Sequence, residues 1–174
     1  MNIRNAVIAA GSAIALSALA TSASATGSVS TAANATATVL SPVTIVKTQD
    51  LVFGQVVRPS GAGASTVTLD TGDAVSIVNT GGANGSTVTS TTSSARFNIT
   101  APANTTYTTT QTLGFVQAGL TNVAPSLPVA SAGTLGAIPA GGVQEIRYGG
   151  TFDMTSATTA QNYTGTLSVT VNYD

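Results

Sequence analysis

Asp70 and Asp73 are the residues whose type and spacing come nearest to chemistry, since two carboxylates flanking Thr71-Gly72 could place oxygens around a calcium ion. Such a site takes about six to eight oxygens, and no further acidic residue lies near in sequence. The better reading is a hairpin: a strand at residues 67–70, a tight turn whose aspartates cap backbone amides, and a partner strand at 74–78. Asp50 and Asp153 are single carboxylates at turn-like or strand positions, and nothing in their spacing sets them side by side for acid/base work. The chain has no His and no Cys. That removes the usual general base, the commonest metal ligand, thiolate chemistry and disulfides. Activation of a Ser or Thr hydroxyl would fall to Lys47 or a carboxylate, and neither a nucleophile elbow nor a Ser-x-x-Lys motif is present. Gly81-Gly82-Ala83-Asn84-Gly85-Ser86 shares only its glycines with phosphate-cradling loops. A non-enzymatic protein without cofactor or metal is expected. Tyr107, between Thr106 and Thr108, is the aromatic best placed to stack on a sugar, although its alternating pattern favours packing.

The elements that position these residues are strands. Of 174 residues, 18 are Gly and only 6% are charged. Small and β-branched residues predominate, which suit strands and tight turns rather than long helices. Lys plus Arg number 5 and Asp plus Glu 6, so no basic surface is available for nucleic acid. Arg4, the apolar run at residues 6–20 and Ala23-Ser24-Ala25 read as a secretory signal peptide over residues 1–25. The run is shorter than the roughly 20 residues that cross a bilayer, and no later segment is long and apolar enough, so an integral helical membrane protein is not expected. Without Arg4, four basic residues face six acidic ones, a net charge of −2.

Residues 26–174 read as a single β-sandwich domain preceded by an alternating arm at 26–39, in which Val29, Ala33, Ala35, Ala37 and Val39 share one parity. Pro42 breaks the pattern before further strand material at Val43, Ile45, Lys47, Leu51 and Phe53. Loops are expected at residues 58–63, 81–94 and 121–132. Strands are expected at 95–100, 107–112 and 113–116, a weak one at 134–138, and one long strand at 143–154 bulged at Gly149-Gly150. At the end Leu167, Val169, Val171 and Tyr173 alternate with Ser168, Thr170 and Asn172. Such a face predicts a strand lying against the middle of a sheet. About eight to ten short strands separated by turn signals make the fold class all-β.

The run Ala35-Thr36-Ala37-Thr38-Val39-Leu40-Ser41-Pro42-Val43-Thr44-Ile45, with Lys47-Thr48-Gln49-Asp50-Leu51-Val52-Phe53-Gly54 after it, resembles the opening of a bacterial secreted family, domain of unknown function 4402. The ending from Tyr163 to Tyr173 resembles that family's close. In place of a plainer apolar strand, residues 141–150 carry Glu145 and Arg147. The alternating arm, the Leu-x-Phe-Gly turn and the terminal strand with a penultimate aromatic are also similar to spore-coat-protein-U-like pilins of archaic chaperone-usher pili. That resemblance implies an immunoglobulin-like antiparallel β-sandwich, pilin-like and lacking a strand that a neighbour's arm supplies. It implies donor residues Val29, Ala33, Ala35 and Ala37, and an acceptor groove bordered by Leu167, Val169, Val171 and Tyr173. It further implies a homo-polymer or related pilin subunits as partners, a periplasmic chaperone and usher, and passage through the periplasm to the cell surface or outside. Pilins of this kind often carry a disulfide, which this chain lacks. A self-complete secreted sandwich that binds a ligand or glycan through loops 81–94 and 121–132 is the alternative.

Overall fold

Period-two alternation sets the fold, because a strand with one apolar face is stable only when another layer covers that face. The computed structural model describes residues 28, 30–39, 41–131 and 133–173. Residues 1–27, which hold the expected signal peptide, lie outside the described residues, as does Val29.

Twelve strands are found among the described residues: β1 Thr44–Gln49, β2 Gln55–Val57, β3 Ala64–Leu69, β4 Val75–Asn79, β5 Ser86–Val88 and β6 Ala95–Thr100, then β7 Tyr107–Phe115, β8 Thr121–Pro125, β9 Val129–Ala130, β10 Val143–Tyr148, β11 Gly150–Thr155 and β12 Gly165–Tyr173. Their ladders are antiparallel. One sheet has the order β1-β6-β10-β9 and another β4-β3-β11-β8. The β7–β12 ladder runs beside β8, and β2 with β5 forms a small ribbon. The chain is an all-β antiparallel sandwich.

Two buried clusters hold it together. In the first, Phe97 and Ile99 of β6 meet Ile146 and Tyr148 of β10 and Tyr107 of β7, and Leu167, Val169 and Val171 of β12 pack on them from the other layer. In the second, Val67 of β3 and Phe152 and Met154 of β11 are joined by Phe53 and Phe115. Rings there meet edge-on: Phe53 and Phe152 centroids are 5.0 Å apart and Phe115 and Phe152 5.7 Å, a favourable aromatic geometry.

Several expectations need correction. The single strand at residues 143–154 is two strands in different sheets, and Gly149 is where the chain crosses between them. A Cβ on Gly149 would lie 1.9 Å from the Leu69 carbonyl oxygen, so only glycine permits that approach. The alternation runs through the crossing, since Gln144, Ile146, Tyr148, Gly150, Phe152 and Met154 are all buried. The loops at 81–94 and 121–132 contain β5, β8 and β9, each a sheet or ribbon edge of five residues or fewer. Pro125 is tolerated in β8 because an edge strand has one side without ladder bonds. The expected strand at 134–138 is a turn with one bridge, Ala137 to Thr106. Residues 107–115 form one strand rather than two, and Val116 lies outside it.

Candidate functional site

The edges of the sandwich define the site. β12 pairs along its whole length with β7, from Gly165 opposite Phe115 to Tyr173 opposite Tyr107, and with no other strand among the described residues. It is therefore an edge strand of its own ladder, while its apolar face lies against the cluster built on β6 and β10, the central strands of another sheet, as the alternation predicts. β1 is likewise an edge, paired only with β6, from Thr44 opposite Thr100 to Gln49 opposite Arg96. Ile45 of β1 and Leu167, Val169 and Val171 of β12 are half-buried against the same cluster. Tyr173, the last of the expected groove residues, is 52% exposed.

Between these edges a cavity of about 1000 Å³ opens, walled by Phe53, Phe97, Leu113, Phe115, Phe152 and Leu167. Gln49, the last residue of β1, and Gly165, the first of β12, line the same cavity. The two edges therefore run in opposite directions. A strand laid between them would be parallel to one and antiparallel to the other. Each edge presents a row of backbone N–H and C=O groups without a strand partner, the condition that invites pairing with another chain.

The arm precedes β1 in the chain. Ala33, Ala35 and Ala37 are exposed, and no described residue from 30 to 39 lies in a strand. Ten residues in extended form span roughly 33 Å, and the nine residues of β12 roughly 30 Å.

The polar candidates have structural partners. Asp70 Oδ1 accepts hydrogen bonds from the Gly72 and Ala74 amides, both at 2.8 Å, and caps the β3–β4 hairpin turn. Asp73 takes φ 71° at the end of that turn and accepts from the Ser94 amide and hydroxyl, both at 2.6 Å, and from Arg96 Nη2 at 2.7 Å. Ser94 first, and then Arg96, hold the Asp73 carboxyl below the usual carboxylate range. Asp50 pairs with Lys47 on the surface. Asp153 accepts from Thr66 and Asn122. Glu145 and Arg147 pair at 2.8 Å on β10, in regular register with β6. Tyr107 is buried at 5% exposure and donates its hydroxyl to Gln144, so it is a core residue and not a sugar platform. Burial raises the pKa of Tyr107 and of Tyr148.

Sequence reasoning missed β1 as the second edge and the phenylalanines as the wall of the cavity. Pro42 just before the strand and Lys47 within it were the available signal, since proline and lysine mark edges.

No curated protein and no solved structure matches this chain. Residues 43–173 match a family model described as Domain of unknown function (DUF4402), a span that runs from just before β1 to the last residue of β12 and leaves out the arm. The chain belongs to the DUF4402 family.

Proposed function

We propose that this chain is a non-enzymatic structural subunit of a surface filament, exported from the cytoplasm and polymerised by donor-strand complementation. The observation that carries the reading is the seam: two edge strands, β1 and β12, flank an aromatic-walled cavity, while an alternating arm of matching length is exposed and outside any strand. In the filament the arm of one copy lies between β1 and β12 of the next. Main-chain hydrogen bonds to the two edges supply affinity, and Val29, Ala33, Ala35 and Ala37 face the groove beside Leu167, Val169 and Val171. Such a contact joins different surfaces head to tail and builds open filaments rather than closed dimers. A periplasmic chaperone that covers the groove during export fits the same chemistry.

Deleting residues 26–33 tests this. The domain, whose clusters lie wholly within residues 43–171, is expected to fold with unchanged circular dichroism while high-mass species vanish from size-exclusion chromatography. Assemblies of unchanged size would overturn the reading.

A further inference from the structure

We propose that the cavity lined by Gln49 and Gly165 is a binding site for an anionic amphiphile, a molecule with one flexible acyl chain and one anionic head. The proposal goes beyond the donor-strand reading and does not rest on it.

The apolar part of the site is set by size. Its floor is Phe152 and Met154 of β11, 4% and 2% exposed, and its walls include Phe53, Leu113, Phe115 and Leu120. Sites for small molecules run up to about 1000 Å³ and are mostly apolar and aromatic, with a few polar groups that fix orientation. Ala33, Ala35 and Ala37 bring one methyl group each, too little to fill a space of about 1000 Å³. Ile45, Val169 and Val171 do not line the cavity, so a strand laid along them and a ligand held here use different walls.

The rings decide the shape of the occupant. Phe53 and Phe115 meet Phe152 at interplanar angles of 72° and 81°, and Tyr163 meets Phe115 at 85°. Rings set edge-on offer no pair of parallel faces to sandwich a planar ligand. They leave bent clefts that a flexible acyl chain follows, each buried methylene adding to its affinity.

The charges decide the head. Lys47, Asp50 and Arg58 are the charged residues of the lining. Lys47 and Asp50 offset one another at 2.5 Å. Arg58 differs from Lys47, Arg96 and Arg147 in having no carboxylate partner among the described residues. Its Nη1 donates to the Ser156 and Thr158 carbonyl oxygens at 3.1 and 2.9 Å, which fixes the guanidinium beside Thr158, itself a lining residue. Neither carbonyl cancels its charge. The lining therefore carries one net positive charge, two cations against one anion, in a chain of net charge −1. A carboxylate or phosphate head is the complement of a guanidinium whose remaining N–H groups are open.

Isothermal titration calorimetry of the protein tests this with four probes below their micelle concentrations: dodecanoate, dodecyl phosphate, dodecanol and dodecyltrimethylammonium. Saturable one-to-one binding of an anionic probe is expected, at least about threefold tighter than the neutral and cationic ones, the margin of one exposed ion pair. The tighter of the two anions identifies the head group as carboxylate or phosphate. Arg58→Gln is expected to erase the margin while dodecanol still binds, which shows the cavity intact, and Arg58→Lys to keep it. Leu120→Trp, which fills the cavity and retains Arg58, is expected to lose all four probes with unchanged circular dichroism. The proposal is overturned if neither anion binds saturably, if the cationic probe binds as tightly as the anions, or if Arg58→Gln keeps the full margin. Binding to Leu120→Trp as tight as to wild type overturns it as well. The deletion of residues 26–33 is read from assembly size, so the two readings fail separately.

Discussion

Gly149 shows what a single residue contributes here. The crossing between sheets brings its Cα so near the Leu69 carbonyl that a methyl group would clash with backbone, not with a flexible side-chain tip. Gly149→Ala is expected to cost about 1–3 kcal/mol by relief through strand displacement, measured by urea unfolding. Two tyrosines bear on stability at high pH. Burial raises the pKa of Tyr107 and Tyr148 above their ordinary value, so the unfolded chain loses these protons first, near pH 10. The stability they carry is complete below that value and is lost as pH rises through the folded values. Thermal midpoints are expected to fall above pH 10, and less steeply after Tyr148→Phe. Asp73 acts at the other end. Its carboxyl is held low in the fold, so its contribution is complete above pH 4 and is lost as pH falls through the folded value. The acid limb of the stability profile is expected to flatten in Asp73→Asn.

At the scale of elements, β12 was legible from its alternation, and so were β3, β4 and β6, because one buried face forces period two. β8 and β9 were not legible, because short edge strands need little apolar patterning and tolerate Pro125. The split of β10 from β11 was hidden for a different reason: the inward parity continues through Gly149, so a layer change and a bulge leave the same pattern. The position of β12 at an edge could not be read from its own residues either. Its apolar face reports that a layer covers it, which the first cluster does, and carries no information about neighbours in the plane of the sheet. Val171→Asp places a charge on that face and is expected to lower stability by several kcal/mol in chemical denaturation. Ala35→Asp is expected to behave oppositely. Ala35 is exposed in the free chain, so the thermal midpoint should not change, while assembly should be lost if its methyl group enters a neighbour's groove.

Among the described residues the strands form a sandwich in which β1 and β12 are edges beside the cavity. Away from the cavity the core is well supplied, with Val67, Ile99 and Ile146 at 0% exposure. At the seam, by contrast, β1 and β12 bring only half-buried side chains to the core. The expectation of an all-β sandwich agrees with the twelve antiparallel strands, and the family match covers residues 43–173. The candidate site was partly legible, since Leu167, which lines the cavity, stood out with Val169 and Val171 on one strand face. The phenylalanine wall was not, because aromatics at alternating positions read as ordinary core until the cavity beside them is seen.

The chain contains no Cys, which makes cysteine pairing between copies the most direct measurement. One preparation carries Val169→Cys and another carries Cys in place of Ala33, Ala35 or Ala37. The two are mixed during assembly and oxidised. Adjacent strands bring same-face residues within disulfide reach, so donor-strand exchange requires a cross-linked dimer containing one chain of each kind for at least one arm position. If no arm position cross-links to Val169→Cys between chains, while a chain carrying both substitutions closes on itself, the arm fills its own groove and strand exchange between copies is contradicted.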